Sequence, residues 1–233
     1  MQLFFDENLN FESSTFLIES DESKHILRVL RKNIGDEIYV TNGKGKACRA
    51  EITNSISKRC EIKILDKHEE PPLPYQLHIA IAPTKSSDRF EYFLEKSTEI
   101  GISEITPLLC DNSERKRLNI KRCQKIIQSA MKQSQRFHLP KLHEMQSYNS
   151  FMQSNFEGYN TCIAHCEDHK KSPFKNQIRT SNQTLILIGP EGDFSTDEIQ
   201  LALSKSFHPV TLGEKRLRTE TAGIVASVMA SLC

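Results

Sequence analysis

The sequence predicts an α/β protein in two parts, a short β-rich segment followed by a larger segment in which strands and helices alternate. Three observations carry this. Before position 66, apolar and polar residues alternate with period two around one short helical stretch. Asp66–Pro74, DKHEEPPLP, places three prolines within four residues, which continue neither a helix nor a central strand. Beyond it, apolar runs are separated by amphipathic stretches, the pattern of a sheet with crossover helices. The expected division is a small β-barrel over residues 1–70, a linker at 66–74 and an α/β domain over 75–233.

In the first part, Ser23–Leu30 reads as a helix with Ile26, Leu27 and Leu30 inward and Lys24, Arg28 and Arg31 toward solvent. Glu37–Thr41 reads as a strand. Asn42, Gly43 and Gly45 mark a hairpin turn into the alternating series Cys48, Ala50, Ile52, Asn54 and Ile56, and Cys60, Ile62 and Ile64 mark a third strand.

In the second part, strands are expected at Leu77–Ala82, Ile105–Cys110, Cys162–Ala164, Leu185–Ile188 and Val210–Leu212. Asp88–Ile100 places Phe90, Phe93, Leu94 and Ser97 on one helical face, and Gly101 stands where a helix ends. Asn119–Phe137 buries Ile120, Cys123, Ile127, Ala130 and Met131, with Lys121, Arg122, Lys125, Lys132 and Arg136 elsewhere. Ser195 with Glu198 forms a capping box for a helix over Thr196–Phe207. A last helix, Glu220–Leu232, repeats Val225, Val228, Met229 and Leu232 at helical spacing.

The 233 residues carry 31 Lys and Arg against 30 Asp and Glu, a net charge of +1 that points to no partner. The distribution is uneven. Residues 1–23 hold six acids and no Lys or Arg, whereas Arg115–His143 holds nine Lys or Arg and no acid. No apolar run approaches the ~18 residues of a membrane helix, and MQLFFDENLNFESS lacks the features of a signal peptide, so a soluble cytoplasmic protein is expected. Seven scattered cysteines without a C-x-x-C pair fit reduced thiols.

The chemistry concentrates at two strand-to-loop junctions. Leu185–Ile188 runs into Gly189-Pro190-Glu191-Gly192-Asp193-Phe194-Ser195, and Val210–Leu212 into Gly213 and Glu214–Gly223. In α/β sheets ligands bind outside the carboxyl ends of strands, so the two loops should share one crevice. Glycines at 189, 192 and 213 would let a ligand lie on the backbone; singly, each also reads as an ordinary turn glycine. Neither a P-loop nor a dinucleotide fingerprint occurs after a strand. A cofactor held by backbone groups without a phosphate motif is compatible with S-adenosylmethionine.

GPEGDFS at 189–195, LGEKRLRTETA at 212–222, EKSTEIGISEITPLL at 95–109, KQSQRFHLP at 132–140 and HILRVLRKNIGDEI at 25–38 together resemble the ribosomal RNA small subunit methyltransferase E family. The resemblance spans both parts in order. It implies a PUA-like β-barrel, a SPOUT-type α/β domain with a trefoil knot holding S-adenosylmethionine, a homodimer, and methylation of N3 of uridine 1498 in 16S rRNA on the small ribosomal subunit. Carried over by position, it places the cofactor pocket at Leu187, Ile188, Gly189, Glu191 and Gly192, completed by Leu212, Gly213, Leu217, Arg218, Thr221 and Ala222. Leu187, Leu212 and Leu217 would sandwich adenine. Glu191 would serve the cofactor's hydroxyls or sulfonium, or simply favour the N-terminus of the next helix.

Methylating N3 of uracil removes a proton from a weak acid, and a guanidinium steadies the resulting anion, which makes Arg136 and Arg218 the candidates. Glu220 is the candidate base, equally readable as a helix-dipole partner. The Arg115–His143 block reads either as a solvated helix face or as phosphate contacts; nine cations without one acid favour the second. Expected RNA contacts are Arg28, Arg31, Lys32, Arg115, Lys116, Arg117, Lys132 and Arg136. Cys162, His165, Cys166 and His169 lack standard zinc spacing, and no metal is expected. Two departures from the family stand out: the first residues lack an arginine, and Lys132 replaces a frequent acid. The rival readings are a catalytically silent RNA-binding assembly factor and the same fold acting on tRNA or another rRNA position.

Overall fold

A computed structural model describes residues 2–56, 59–168, 170–178 and 182–233. The chain forms two compact units: Met1–Pro72 with Gln128–Leu139, and Leu73–Ile127 with Pro140–Cys233.

In the first unit, β1 (Leu3–Phe5), β2 (Thr15–Leu17), β3 (Glu37–Thr41), β4 (Lys46–Ile56) and β5 (Arg59–Glu69) form one sheet in the order β1-β3-β4-β5-β2. β1 pairs with β3 in parallel and the other pairs are antiparallel. The alternation read from the sequence buries Cys48, Ala50, Ile52, Cys60 and Ile62 with Phe4, Ile18, Ile26, Ile38 and Val40. It breaks at Asn54, which is exposed, because the β4–β5 register shifts between Ile52 and Asn54. Strand β5 continues through Glu69, so residues 66–69 of the expected linker pair with β4; chain pairing stops where the prolines begin. The strands β1 and β2, three residues each, are too short to leave a periodic signal. The expected helix starts earlier, as α1 (Ser20–Lys24), and runs into a π-turn, His25–Val29, that leaves Val29 exposed.

Part of the acidic cluster is structural. Asp6, 2% exposed, accepts the Asn8 N–H at Oδ1 and the Glu19 N–H at Oδ2, and burial pushes its pKa up against those bonds. Glu22 accepts the Phe5 N–H.

The second unit begins with β6 (Gln76–Ile81), α2 (Ser87–Ile100) and β7 (Glu104–Leu109). Helix α3 (Ile120–Gln133) follows, then β8 (Lys141–Leu142), β9 (Gln146–Ser147), α4 (Tyr148–Phe151), β10 (Asn160–Ala164), β11 (Ser172–Pro173) and α5 (Phe174–Ile178). It ends with β12 (Gln183–Ile188), α6 (Thr196–Ser204), β13 (His208–Thr211) and α7 (Thr219–Ser231). All strand pairs are parallel, in the order β11-β13-β10-β12-β6-β7-β8, with β9 also on β7. Ala80, Leu108, Ile163, Leu185 and Leu187 contribute to a core with Tyr148, Phe151, Phe194, Ile199 and Phe207.

Helix ends divide into those that glycine or a cap announces and those it does not. Gly101 ends α2 with φ 119°, and the Ser195/Glu198 capping box opens α6 with both reciprocal bonds present. Helices α3 and α6 both stop short of the expected Phe137 and Phe207. Each is closed by a Schellman turn on a residue other than glycine. Gln135 has φ 58°, with Arg136 N–H donating to Met131 O and Gln135 N–H to Lys132 O; Ser206 has φ 64°, with Phe207 N–H donating to Ala202 O and Ser206 N–H to Leu203 O. Left-handed backbone costs an L-residue about 1–2 kcal/mol. Gln135→Gly and Ser206→Gly should each therefore raise stability by about 0.5–1 kcal/mol after the glycine's larger unfolded-state entropy is subtracted. The check is a higher urea midpoint at unchanged m-value.

The last part of α3 and the segment after its closing turn, residues 128–139, belong to the first unit. Gly45 N–H donates to Phe137 O at 2.9 Å, Leu139 N–H to Gly43 O at 2.8 Å, and Lys132 Nζ meets both Glu22 oxygens at 2.9 and 3.1 Å. Helix α7 packs on α2 and β6, but not through the stripe the sequence suggested. Its inner face is Ala222, Gly223, Ala226, Ser227 and Ala230, while Val228 and Leu232 are exposed.

Candidate functional site

The carboxyl ends of β10, β12 and β13 enclose a cavity of about 660 Å³ in the second unit. Its walls come from three loops. Ile188 ends β12 and Gly189, Pro190, Glu191 and Asp193 follow it; Leu212, Gly213 and Glu214–Thr219 follow β13, with Ala222 beyond them; Ala164 ends β10 and His165 and Cys166 follow it. The two loops singled out in the sequence do share a crevice, yet their strands are not neighbours. β10 lies between β12 and β13, and its loop supplies the wall between them. That is why His165 and Cys166 enter the site unforeseen. Their sequence cluster with Cys162 and His169 suggested only a nonstandard metal spacing, and the strand order reveals their place in the crevice.

Side-chain bonds fix the loop after β12. Lys85 N–H donates to Glu191 Oε1 at 2.8 Å, and Arg216 Nη2 donates to Glu191 O at 3.1 Å. Thr219 Oγ1, buried at the start of α7, donates to Gly189 O at 3.0 Å. Asn112 Nδ2 donates to Asp193 O at 3.1 Å, and Cys166 N–H donates to Asp193 Oδ2 at 2.6 Å. Behind it, Glu198 accepts the Ser195 and Asp111 N–H groups, which offset the rise in its pKa that burial causes. The loop is therefore held in shape by the protein itself before any ligand arrives.

The glycines separate in meaning. A Cβ on Gly189 would lie 3.1 Å from Phe194 N and from its ring, and one on Gly192 would lie 3.2 Å from Asn112 Cβ, so protein packing accounts for both. Around Gly213 nothing stands within 4 Å of a Cβ, and the residue lines the cavity. There the open backbone faces the space a ligand would fill.

Among the expected cofactor residues, Ile188, Gly189, Glu191, Leu212, Gly213, Leu217, Arg218 and Ala222 line the cavity. Leu187, Gly192 and Thr221 do not. Leu187 is fully buried in the core with Phe194, because alternate residues of a strand point to opposite faces, so its side chain is not placed to sandwich a ring in the cavity. Arg218 lines the cavity as the N-cap of α7, exposed and making no side-chain cap bond. Glu220 is 8% exposed and lies outside the lining; Oε1 sits 3.9 Å from Arg89 Nε, and Oε2 has no hydrogen bond among the described residues. Cys162 is fully buried in β10, and His169 lies outside the described residues.

The expected RNA contacts fall in both units. Arg28 and Arg31 are exposed and Lys32 half-buried in the first unit, none ion-paired among the described residues. Lys132 is committed to Glu22, and Arg136 is half-buried just past the end of α3. In the second unit Lys116 and Arg117 are exposed, whereas Arg115 donates to Thr84 O through Nε at 2.8 Å and to Lys85 O through Nη2, clamping the segment whose Lys85 N–H holds Glu191. Arg122 pairs with Glu91, which is held below the ordinary carboxylate range by that guanidinium. The acid-free run of sequence is thus partly neutralised by acids from elsewhere in the chain.

The RNA methyltransferase domain family model matches residues 71–231, and the RNA methyltransferase PUA domain model matches residues 18–65. The ribosomal RNA small subunit methyltransferase E of Buchnera aphidicola (subspecies Acyrthosiphon pisum) is 32% identical over 97% of this chain and 90% of its own length. A crystal structure of a probable rRNA-methyltransferase from Porphyromonas gingivalis aligns with TM-score 0.87 at 36% identity, covering 97% of this chain and 95% of that one. The Neisseria gonorrhoeae ribosomal RNA small subunit methyltransferase E, solved bound to S-adenosyl methionine, aligns with TM-score 0.84 at 28% identity, with the same coverages of 97% and 95%.

Proposed function

Because the chain belongs to the ribosomal RNA small subunit methyltransferase E family, we propose that it transfers a methyl group from S-adenosylmethionine to N3 of uridine 1498 in 16S rRNA on the assembled small subunit. The observation that carries this reading is the cavity itself. It is formed by preorganised loops, is open to backbone approach at Gly213, is apolar at Ile188, Leu212 and Leu217, and includes Arg218. Its volume falls in the range of cofactor sites, about 300–1,000 Å³.

S-adenosylmethionine supplies a methyl on a sulfonium, which becomes a neutral thioether as the carbon–sulfur bond breaks and the N3–carbon bond forms. The chain's residues provide the rest. Leu212, Leu217 and Ile188 offer apolar surface to the adenine, and backbone groups beside Gly213 and Gly189 offer donors and acceptors to its edges. The Arg218 guanidinium stabilises the negative charge left on uracil when N3 loses its proton. Arg136 is proposed to act on the same anion; Glu220 turns to Arg89 and lies outside the cavity lining, so the N3 proton is proposed to pass to solvent water.

We place the methyltransferase domain at 75–233 with the family's trefoil knot, and a PUA-like barrel at 1–70. The knot is proposed on family membership, and the strand order β13-β10-β12-β6 is the frame in which it would form. A homodimer is proposed, supported by the exposed Val228 and Leu232 of α7; dilution to monomer without loss of activity would refute it. Among the described residues no helix is long and apolar enough to cross a membrane. A cytoplasmic location is proposed with the substrate.

Mapping methylated nucleosides of 16S rRNA from a strain lacking the protein tests the reaction and target together. One N3-methyluridine should vanish and return on complementation. Calorimetry showing no binding of S-adenosylmethionine would favour the catalytically silent RNA binder instead. RNA affinity should fall steeply with salt, by about 10²-fold or more between 50 and 200 mM, because Arg28, Arg31, Lys32, Lys116 and Arg117 are proposed to contact phosphates. An affinity flat over that range would remove them from the interface.

A further inference from the structure

At the end of the second sheet away from the cavity, two histidines and a carboxylate converge. The register pairs His78 of β6 with Glu104 of β7 and Glu104 with Lys141 of β8, placing them in one row across three parallel strands. His143, two residues past Lys141, joins the same face, with its N–H bonded to Ile105 O at 2.9 Å. One ligand-type atom from each of His78, Glu104 and His143 lies within 4.8 Å of the others. His143 Nε2 is 2.6 Å from Glu104 Oε2, and the two imidazoles stack at 5.4 Å between centroids.

We propose that His78, Glu104 and His143 form a binding site for a divalent transition-metal ion of the zinc type, completed by water. The donor set is one of the recurrent zinc sets, two imidazoles and one carboxylate with a fourth position left open. A tetrahedral ion about 2.1 Å from each ligand needs ligand atoms about 3.4 Å apart, so the donors, now within 4.8 Å of one another, would have to adjust by about 1 Å on binding. The outer contacts are those that orient metal ligands. His78 Nε2 lies 2.7 Å from Thr106 Oγ1, and Tyr159 Oη donates to Glu104 Oε1 at 3.5 Å. An ion pair between His143 and Glu104 would need only one histidine. His78, 9% exposed, stacks on that pair, packs edge-on against Phe151 and Tyr159, and brings a second imidazole to the same carboxylate. Lys141 Nζ, 3.9 Å from Glu104 and largely exposed, can swing away. The ion would tie the segment Pro140–His143 to β6 and β7 at the end of the sheet away from the cavity.

The test is titration of the metal-free full chain with Co²⁺, then with Zn²⁺. One equivalent of Co²⁺ should give visible d–d bands without a thiolate-to-cobalt charge-transfer band, and Zn²⁺ should displace it. At about 100-fold excess over Kd, Zn²⁺ should raise Tm by about 5 °C or more. His78→Ala and His143→Gln should each abolish the bands, while Cys166→Ser and Cys233→Ser should keep them. His143→Gln, at the less buried ligand, decides the matter if His78→Ala fails to fold. Absence of d–d bands, a charge-transfer band from cysteine, or full binding by a folded His143→Gln protein would each overturn the site.

Discussion

Arg218→Ala should lower kcat for uridine methylation by about 10²–10³-fold while leaving S-adenosylmethionine affinity within about threefold. The reasoning begins with what Arg218 does not do. Its side chain neither caps α7 nor makes a hydrogen bond or ion pair with another described residue, though it lines the cavity in an exposed position. Folding therefore loses little on its removal, and the cavity keeps Leu212, Gly213 and Leu217. In the proposed reaction what disappears is the positive charge beside the uracil as it becomes anionic, an interaction that strengthens as the proton leaves and so would appear in kcat. Arg218→Lys should recover part of the rate, because charge survives while the planar fork of donors is lost. Single-turnover methylation of small subunits, alongside calorimetry with the cofactor, reads the two quantities separately. A kcat within twofold of the native value would transfer the role to another group, with Arg136 the next to examine.

Gly223→Val should destabilise the protein by about 3 kcal/mol or more. Gly223 sits mid-helix in α7, where glycine ordinarily costs about 1 kcal/mol relative to alanine. The reason it stands there is contact. A Cβ would lie 2.4 Å from Phe93 Cε2 and 3.2 Å from Ile81 Cδ1, and Phe93 is fully buried. The overlap exceeds any propensity gain, so even Gly223→Ala should be destabilising. Phe93→Leu, which removes the clashing ring atoms, should be costly alone yet recover part of the loss in the Gly223→Ala background. That non-additivity, read from urea midpoints, is the signature of a direct contact. Additive losses would show that α7 is held otherwise.

The same helix shows where the sequence is legible and where it misleads. Its strongest periodic signal, Val225, Val228, Met229 and Leu232, lies away from the core, because the close approach of α7 to α2 and β6 selects small residues that a hydrophobicity pattern does not register. By contrast the strands β3, β6, β7 and β12 and the caps at Gly101 and Ser195 could be read directly, since each rests on local chemistry. The ends of α3 and α6 could not, because Gln135 and Ser206 occupy a conformation usually signalled by glycine. For the site, both cavity loops were evident from their glycines and their place after strands. His165 and Cys166 were not, since their role depends on β10 lying between β12 and β13, a long-range fact of strand order. Arg115 and Lys132 show the corresponding limit for charge: a run of cations says nothing about which acids or carbonyls the fold will bring to them.

The excursion of residues 128–139 into the first unit has a consequence for the order of events during synthesis. Gly45 N–H and Gly43 O find their partners at Phe137 and Leu139, and Glu22 finds its ammonium at Lys132. A nascent chain that has emerged only through Pro72 holds every strand of the first sheet but none of those partners. Its sheet can pair early, yet the unit closes only after Leu139 is exposed, by which time β6, α2, β7 and α3 have all left the tunnel. Vectorial folding in the usual amino-first order is therefore interrupted: the amino-terminal unit waits on nearly seventy further codons, and a ribosome stalled before that point would display an unfinished module rather than a completed one.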